Sequence, residues 1–189
     1  MSDLLTMVDV ACWRGGRLLF EGLSLRVAPG EGLWVRGPNG MGKSSLLRIA
    51  AGLLQPLGGT VSCSACALAD EALALDRELP LRRALGLWAA LDGSRHVPAA
   101  LGALGLAALA EVPVRLLSTG QARRARLARV LASGSPLWLL DEPLNGLDEA
   151  SVAAVAAMIS AHRAAGGGVL VASHLEVPGG AWRTLELAA

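Results

Sequence analysis

Apolar residues follow two rhythms along this chain, and the switches between them mark the elements. In "LSLRVAPGEGLWVRG", residues 23–37, two apolar stretches flank a Pro29-Gly30 turn, which predicts a strand, a tight turn and a short strand ending at Gly37. The pattern then becomes helical in "KSSLLRIAAGLL", with Gly52 and Pro56 marking the exit. "GTVSCSACALA", residues 59–69, predicts extended chain. From Asp70 to about Val114 the pattern turns helical and rich in alanine and leucine, with breaks at Pro80, Gly93 and Pro98. This predicts a small helical subdomain, about 75–116, inserted into a larger sheet. A capped helix at 118–132 follows, then an apolar strand "PLWLLDEP", a helix through "SVAAVAAMISAHRAA" and a glycine-bounded strand "GVLVASH". Strands alternating with helices predict one α/β domain over 1–189, with a mainly parallel sheet covered on both faces.

Composition narrows the classes. A chain of 189 residues suits a single buried core, and 53% hydrophobic with 17% charged residues excludes a disordered polymer. A net charge of +1 predicts no bulk attraction to nucleic acid. The longest apolar run, "LGALGLAALA" at 101–110, falls short of the roughly 20 residues of a membrane span. The start, "MSDLLTMVDV", carries an acid where a secretory signal needs basic residues, so the expected compartment is the cytoplasm. Three cysteines are then expected as thiols. "CSAC" at 63–66 has the spacing of half a zinc site or a redox pair. No second pair completes it, and the expectation is apolar packing on a strand.

Two stretches carry the chemistry. "GPNGMGKSS" (Gly37, Pro38, Asn39, Gly40, Met41, Gly42, Lys43, Ser44, Ser45) fits the phosphate-binding loop, with an apolar strand before it and a helix after it. Its glycines let successive N–H groups point inward, toward the positive end of the helix. Lys43 is expected on the β- and γ-phosphates, Ser44 on magnesium and Ser45 near the α-phosphate. Lys43 is also the only lysine among 17 basic residues, so a strongly arginine-biased sequence keeps a compact point charge here. "PLWLLDEP" places two carboxylates at the sheet's C-terminal edge, where ligands bind in open α/β sheets. Asp141 is expected to hold magnesium through its water shell, and Glu142 to orient or deprotonate an attacking water.

A second glycine-bearing loop, "LSTGQ", opens a helix almost eighty residues later. Ser118 as N-cap with Gln121 three residues on forms a capping box, leaving free N–H groups at the tip as a second anion site. One cradle already encloses one nucleotide's phosphates, so this tip is expected to meet a triphosphate held by another copy of the chain. Arg123, Arg124, Arg126 and Arg129 follow. Leu127, Ala128, Val130 and Leu131 make an apolar face, so the arginines are expected on the solvated side rather than on nucleic acid.

"GPNGMGKSS", "LSTGQ", "LLDEP", "NGLD" and "ASH", in that order over nearly the whole chain, resemble the ATP-binding cassette ATPases. The resemblance implies a nucleotide-binding domain with a small N-terminal antiparallel β subdomain, ATP and Mg2+ as cofactors, and a head-to-tail homodimer. By it, Ser118, Gly120 and Gln121 face the partner's nucleotide, Asp148 lies in the loop crossing the interface, and His174 touches the γ-phosphate. Trp13 or Arg14 is the expected stacking group for adenine. His96 and His162, outside any motif, are expected at the surface.

Short length, "PVRLLSTGQARRARLARV" and "PLWLLDEPLNGLD" are similar to the ATPases of cytochrome c maturation transporters. That similarity implies a CcmB-like integral membrane subunit, a place on the cytoplasmic face of the inner membrane, and a part in haem handling. The family carries a glutamine, or in this subfamily often a histidine, where "LADEALALDRELP" offers Asp70 or Glu71. The usual stacking tyrosine is missing too, since the chain has no tyrosine. Other readings are the ATPase of another small-substrate or drug exporter, a non-hydrolysing regulatory subunit, and a soluble cassette acting on nucleic acid or ribosomes. The long coiled coil or tandem cassettes of that last class are absent from the sequence.

Overall fold

Strands that are apolar on both faces must be covered on both faces, and this dictates the centre of the molecule. The computed structural model describes residues 2–187. Strands β1 (Leu5–Arg14) and β2 (Arg17–Val27) pair antiparallel, and β3 (Gly32–Arg36) leads into α1 (Lys43–Ala50). Next come β4 (Gly58–Cys63), β5 (Cys66–Ala69), α2 (Leu81–Leu91) and α3 (Val97–Ala103). After two short 3-10 turns the chain forms α4 (Thr119–Ser133), β6 (Leu137–Asp141), α5 (Glu149–Ala164), β7 (Gly168–Ala172) and β8 (Arg183–Glu186).

A parallel five-stranded sheet in the order β5-β6-β7-β3-β8 is joined by a three-stranded antiparallel sheet in the order β2-β1-β4. Alternation along the central strands builds two apolar layers. Leu137 and Leu139 of β6, with Leu170 of β7 and Leu33 and Val35 of β3, pack toward α1 and the antiparallel sheet. Trp138, Leu140, Val169 and Val171 pack the other way, onto the helices α2–α5. A period of two therefore survives inside strands that read as unbroken apolar runs.

Helix ends follow their capping residues. Gly52, at φ 72°, stops α1 with bonds from Gly52 N–H to the Ile49 carbonyl (3.0 Å) and from Leu53 N–H to the Arg48 carbonyl (2.8 Å), so "KSSLLRIAAGLL" is helical only to Ala50. The helical pattern expected from Asp70 begins only at Leu81. Asp70 and Asp76 accept the N–H groups of Ala72 and Glu78 in tight turns, and Pro80 then opens α2. Cys63 and Cys66 end β4 and begin β5 as free thiols packed against the apolar layer. Each faces the other. The bond between them and burial push the Cys63 thiol up while that bond lowers Cys66.

Two expectations about polar residues are corrected. His162 does not stand at the surface: its ring stacks on Trp138 with centroids 3.7 Å apart, and its Nε2 is buried without a partner among the described residues. The α4 arginines do not form a solvated side either. Because α2 and α3 cover α4 from outside, Arg124 donates to the Leu104 carbonyl at 3.1 Å and Arg129 to the Leu68 carbonyl, with its guanidinium 4.9 Å from the Trp88 ring centroid. Arg126 is 9% exposed.

Candidate functional site

The loop between β3 and α1 curls because its glycines take left-handed angles. Gly37 sits at φ 143°, and a Cβ there would lie 2.4 Å from the Leu187 carbonyl oxygen, so the turn excludes any other residue. Lys43 is 6% exposed, and its Nζ donates to the carbonyls of Gly37 (2.7 Å) and Pro38 (3.2 Å). The ammonium is thus held across the mouth of its own loop.

Above that loop opens a cavity of about 600 Å3. Lys43, Ser44 and Ser45 line it at the start of α1, and Asp141, Glu142 and His174 line it from the ends of β6 and β7. Asn39, Gly40 and Gly42 complete the loop side, whereas Gly37, Pro38 and Met41 shape the turn without lining the cavity. Arg14 reaches in from β1, its Nη1 3.4 Å from the Ser45 Oγ, and Arg17 donates to the Gly40 carbonyl at 2.7 Å. Trp13 does not line the cavity; it lies on the opposite face of β1 from Arg14 and is 55% exposed.

Asp141 closes β6 at 4% exposure, with Oδ1 sealed from solvent and without a partner among the described residues. Burial pushes its carboxyl above the usual carboxylate range, a hydrogen bond from Ser44 opposes that, and the charges of Glu142 and Glu71 add to it. A hydroxyl beside an orphaned carboxylate oxygen suits a hard divalent cation. Glu142 holds φ at 46°, in the left-handed region, which a non-glycine residue keeps only when its surroundings enforce it. Here two contacts do so: its N–H donates to the Ala172 carbonyl at 2.8 Å, and its Oε2 lies 2.9 Å from Nδ1 of His174. The His174 loop is itself pinned by the buried Ser173, whose carbonyl accepts from Trp34 Nε1 at 2.9 Å.

Ser118 caps α4 as the spacing predicts. Its Oγ accepts from Gln121 N–H at 3.3 Å, and Gln121 Oε1 accepts from Ser118 N–H at 2.8 Å. Asp148 caps α5, accepting from Ser151 N–H at 2.7 Å. Neither they nor Gly120 lines the cavity that holds Lys43.

The family model for the ABC transporter matches residues 20–145, a stretch that includes the Lys43 loop, the Ser118 cap and the Asp141-Glu142 strand end. The chain belongs to the ABC transporter family. Among relatives of this ABC ATPase, the cytochrome c biogenesis ATP-binding export protein CcmA of Sphingopyxis alaskensis is 58% identical, over 92% of this chain and 91% of the relative. The protein of the same name from Zymomonas mobilis is 53% identical over 95% and 82%. A solved ATP-binding subunit of an ABC transporter superposes with a TM-score of 0.83 at 25% identity, covering 91% of this chain and 80% of that one. A bacterial ABC transporter cassette solved as a dimer gives 0.82 at 21%, covering 90% and 88%. The fold of this ABC ATPase is thus that of the cassette.

Sequence reasoning gave no role to Arg17 and Trp34, nor to Asn145 and Ser173 inside "NGLD" and "ASH". Arg17 enters the cavity from the first residue of β2 and Asn145 from the turn before α5. Trp34 and Ser173 form a contact between β3 and the end of β7, which only the parallel pairing of those strands brings about.

Proposed function

We propose that this chain hydrolyses MgATP as the ATPase subunit of a transporter serving c-type cytochrome biogenesis, in a head-to-tail dimer of two copies bound to a CcmB-like membrane subunit at the cytoplasmic face of the inner membrane. One observation carries the catalytic part: a lysine cradle, a hydroxyl-carboxylate pair and a histidine-braced glutamate converge on a single cavity. The pathway rests on relatives of up to 58% identity that are named cytochrome c biogenesis ATP-binding export proteins. No helix among the described residues is long and apolar enough to cross a membrane.

On this reading Lys43 exchanges its two carbonyl acceptors for β- and γ-phosphate oxygens, which are stronger acceptors because they are charged. Ser44 and Asp141 are the groups that would hold magnesium, whose charge neutralises the oxygens of the transferred phosphoryl group. Glu142 accepts the proton of, or orients, the water that attacks the γ-phosphorus as the bond to ADP breaks. His174 Nδ1 fixes the Glu142 carboxylate, and its exposed ring edge faces the same space. Arg14 lies where it can meet the α-phosphate or the base. The exposed first turn of α4, with Ser118 and Gly120, is offered outward to the nucleotide of the second copy, with Asp148 beside the same surface.

The test is phosphate release by the chain purified with its membrane partner, with and without magnesium. Glu142→Gln should lower kcat by about 10² to 10⁴ while leaving ATP affinity within a few-fold. Absence of magnesium-dependent turnover in the wild type, with Glu142→Gln changing nothing, would overturn the reading.

A further inference from the structure

A second cavity, of about 340 Å3, shares Glu71, Asp141, Glu142 and Asn145 with the first. Its other wall is α4, which contributes Arg123 and Arg126. Arg123 already donates to the Gly146 carbonyl at 3.0 Å. Arg126 is different. It is nine-tenths buried, its Nε is sealed from solvent with no acceptor, and none of the ion pairs among the described residues includes it. A buried guanidinium without a counter-ion is strongly disfavoured, so the arrangement calls for a carboxylate.

The acids nearby narrow the choice. Asp70 is held by Arg48 at 3.1 Å and Glu142 by His174 at 2.9 Å. Asp141 is the acid whose charge acts on Arg126 most strongly, but it is buried at the end of β6, inside the sheet's hydrogen-bonded pairing, bonded by Ser44 and outside ion-pair distance of the guanidinium. Glu71 alone among these is exposed and in no ion pair among the described residues, on the bend between β5 and α2. It faces both cavities, whereas Arg126 faces only the second. A triphosphate entering the first cavity brings negative charge beside Glu71, whereas Arg126 stands on the wall of the second cavity alone, so repulsion from the one and attraction to the other push the carboxylate the same way.

We propose that Arg126 is a positioning residue of the hydrolytic site and that Glu71 becomes its ion partner when nucleotide is bound, tying the loop between β5 and α2 to the helix whose first turn carries Ser118. The pair neutralises the buried guanidinium and withdraws one of three clustered carboxylates from the nucleotide. It also explains why an acid can stand at this position in the loop: the opposing helix supplies the matching cation. This rests on the cavity being the ATP site.

The experiment compares wild type, Glu71→Gln, Glu71→Arg, Arg126→Glu and the double exchange, each purified with the membrane partner. It reads kcat and KM for ATP, and hydrogen exchange of the 71–75 amides with and without ATP. Glu71→Gln, on an exposed bend, should fold normally, lower kcat about tenfold at a KM within about threefold, and lose the nucleotide-induced protection of 71–75. Glu71→Arg should be at least as poor, and pairing it with Arg126→Glu should recover most of both readouts. Normal ATP binding and turnover with unchanged protection in Glu71→Gln would sink the ion pair alone. Loss of ATP binding in the wild type would instead sink the functional reading beneath it.

Discussion

Neighbouring residues on a strand face opposite ways, and at Trp13 and Arg14 that alternation decides which of them lines the cavity. The sequence reading left both open for adenine. In the structure Arg14 lines the cavity within reach of the Ser45 hydroxyl, and Cys12, two residues back on the strand, is buried. Burial pushes the Cys12 thiol up, so it stays neutral and serves as packing beneath the loop. Arg14→Ala should therefore weaken ATP binding about five- to tenfold, the worth of one charge-assisted contact partly open to water. Trp13→Ala should leave Kd within about twofold, since an exposed side chain outside the cavity contributes little. Titration with a fluorescent ATP analogue measures both, and the reverse ranking would return the base to Trp13. A guanidinium in this role also binds phosphate as well as it stacks, so discrimination between ATP and GTP should be weaker than with an aromatic platform.

At the scale of elements, the ends of α4 were legible and the covering of its polar side was not. Ser118, Gln121 and Gly134 fix α4 at both ends by local bonds that a sequence carries openly. Its arginines misled, because helical periodicity separates apolar from polar positions but cannot say that a second helical layer covers the polar ones. The same blindness put His162 at the surface, although α5 delivers it onto Trp138 of β6. That contact has a pH signature. Burial lowers the His162 pKa from the ordinary 6.5, with bonds to the Pro136 and Gly168 backbone opposing the shift. In the window between the lowered folded value and 6.5 the unfolded chain binds more protons than the folded one, so stability rises with pH there. The contribution is complete above that window and is lost as pH falls through it. His162→Phe keeps the stack and removes the titration. As pH is lowered from about 7 to about 5, the Tm of the wild type should fall relative to that of the variant; parallel curves would show that the ring titrates alike in both states.

The parallel sheet of the whole molecule could be read from strands alternating with helices, while its edges could not. β8 is four residues, "RTLE", mostly exposed, and exists because the edge of β3 is free to pair with it. β1 shifts register three times against β2, which blurs the alternation that would mark a strand. Likewise the loop, strand-end acids and histidine of the cavity were visible as motifs, whereas the Arg126 wall required the tertiary fold. What one copy leaves undone is informative in the same way. Ser118 and Gly120 open α4 with free N–H groups, yet they stand outside the cavity whose nucleotide such groups would suit. A second copy in the opposite orientation would complete both cavities at once, and each bound triphosphate would then bridge two chains. Association should accordingly depend on nucleotide and be lost on hydrolysis. With Glu142→Gln and saturating MgATP, light scattering should show the 19.4 kDa chain doubling in mass, and ADP should return it to monomer. Ser118→Arg, at an exposed cap, should abolish the doubling while leaving ATP affinity of the single chain within about threefold, because its own cradle is untouched. Doubling that persists in Ser118→Arg, or a monomer in every state, would assign that helix tip a different partner.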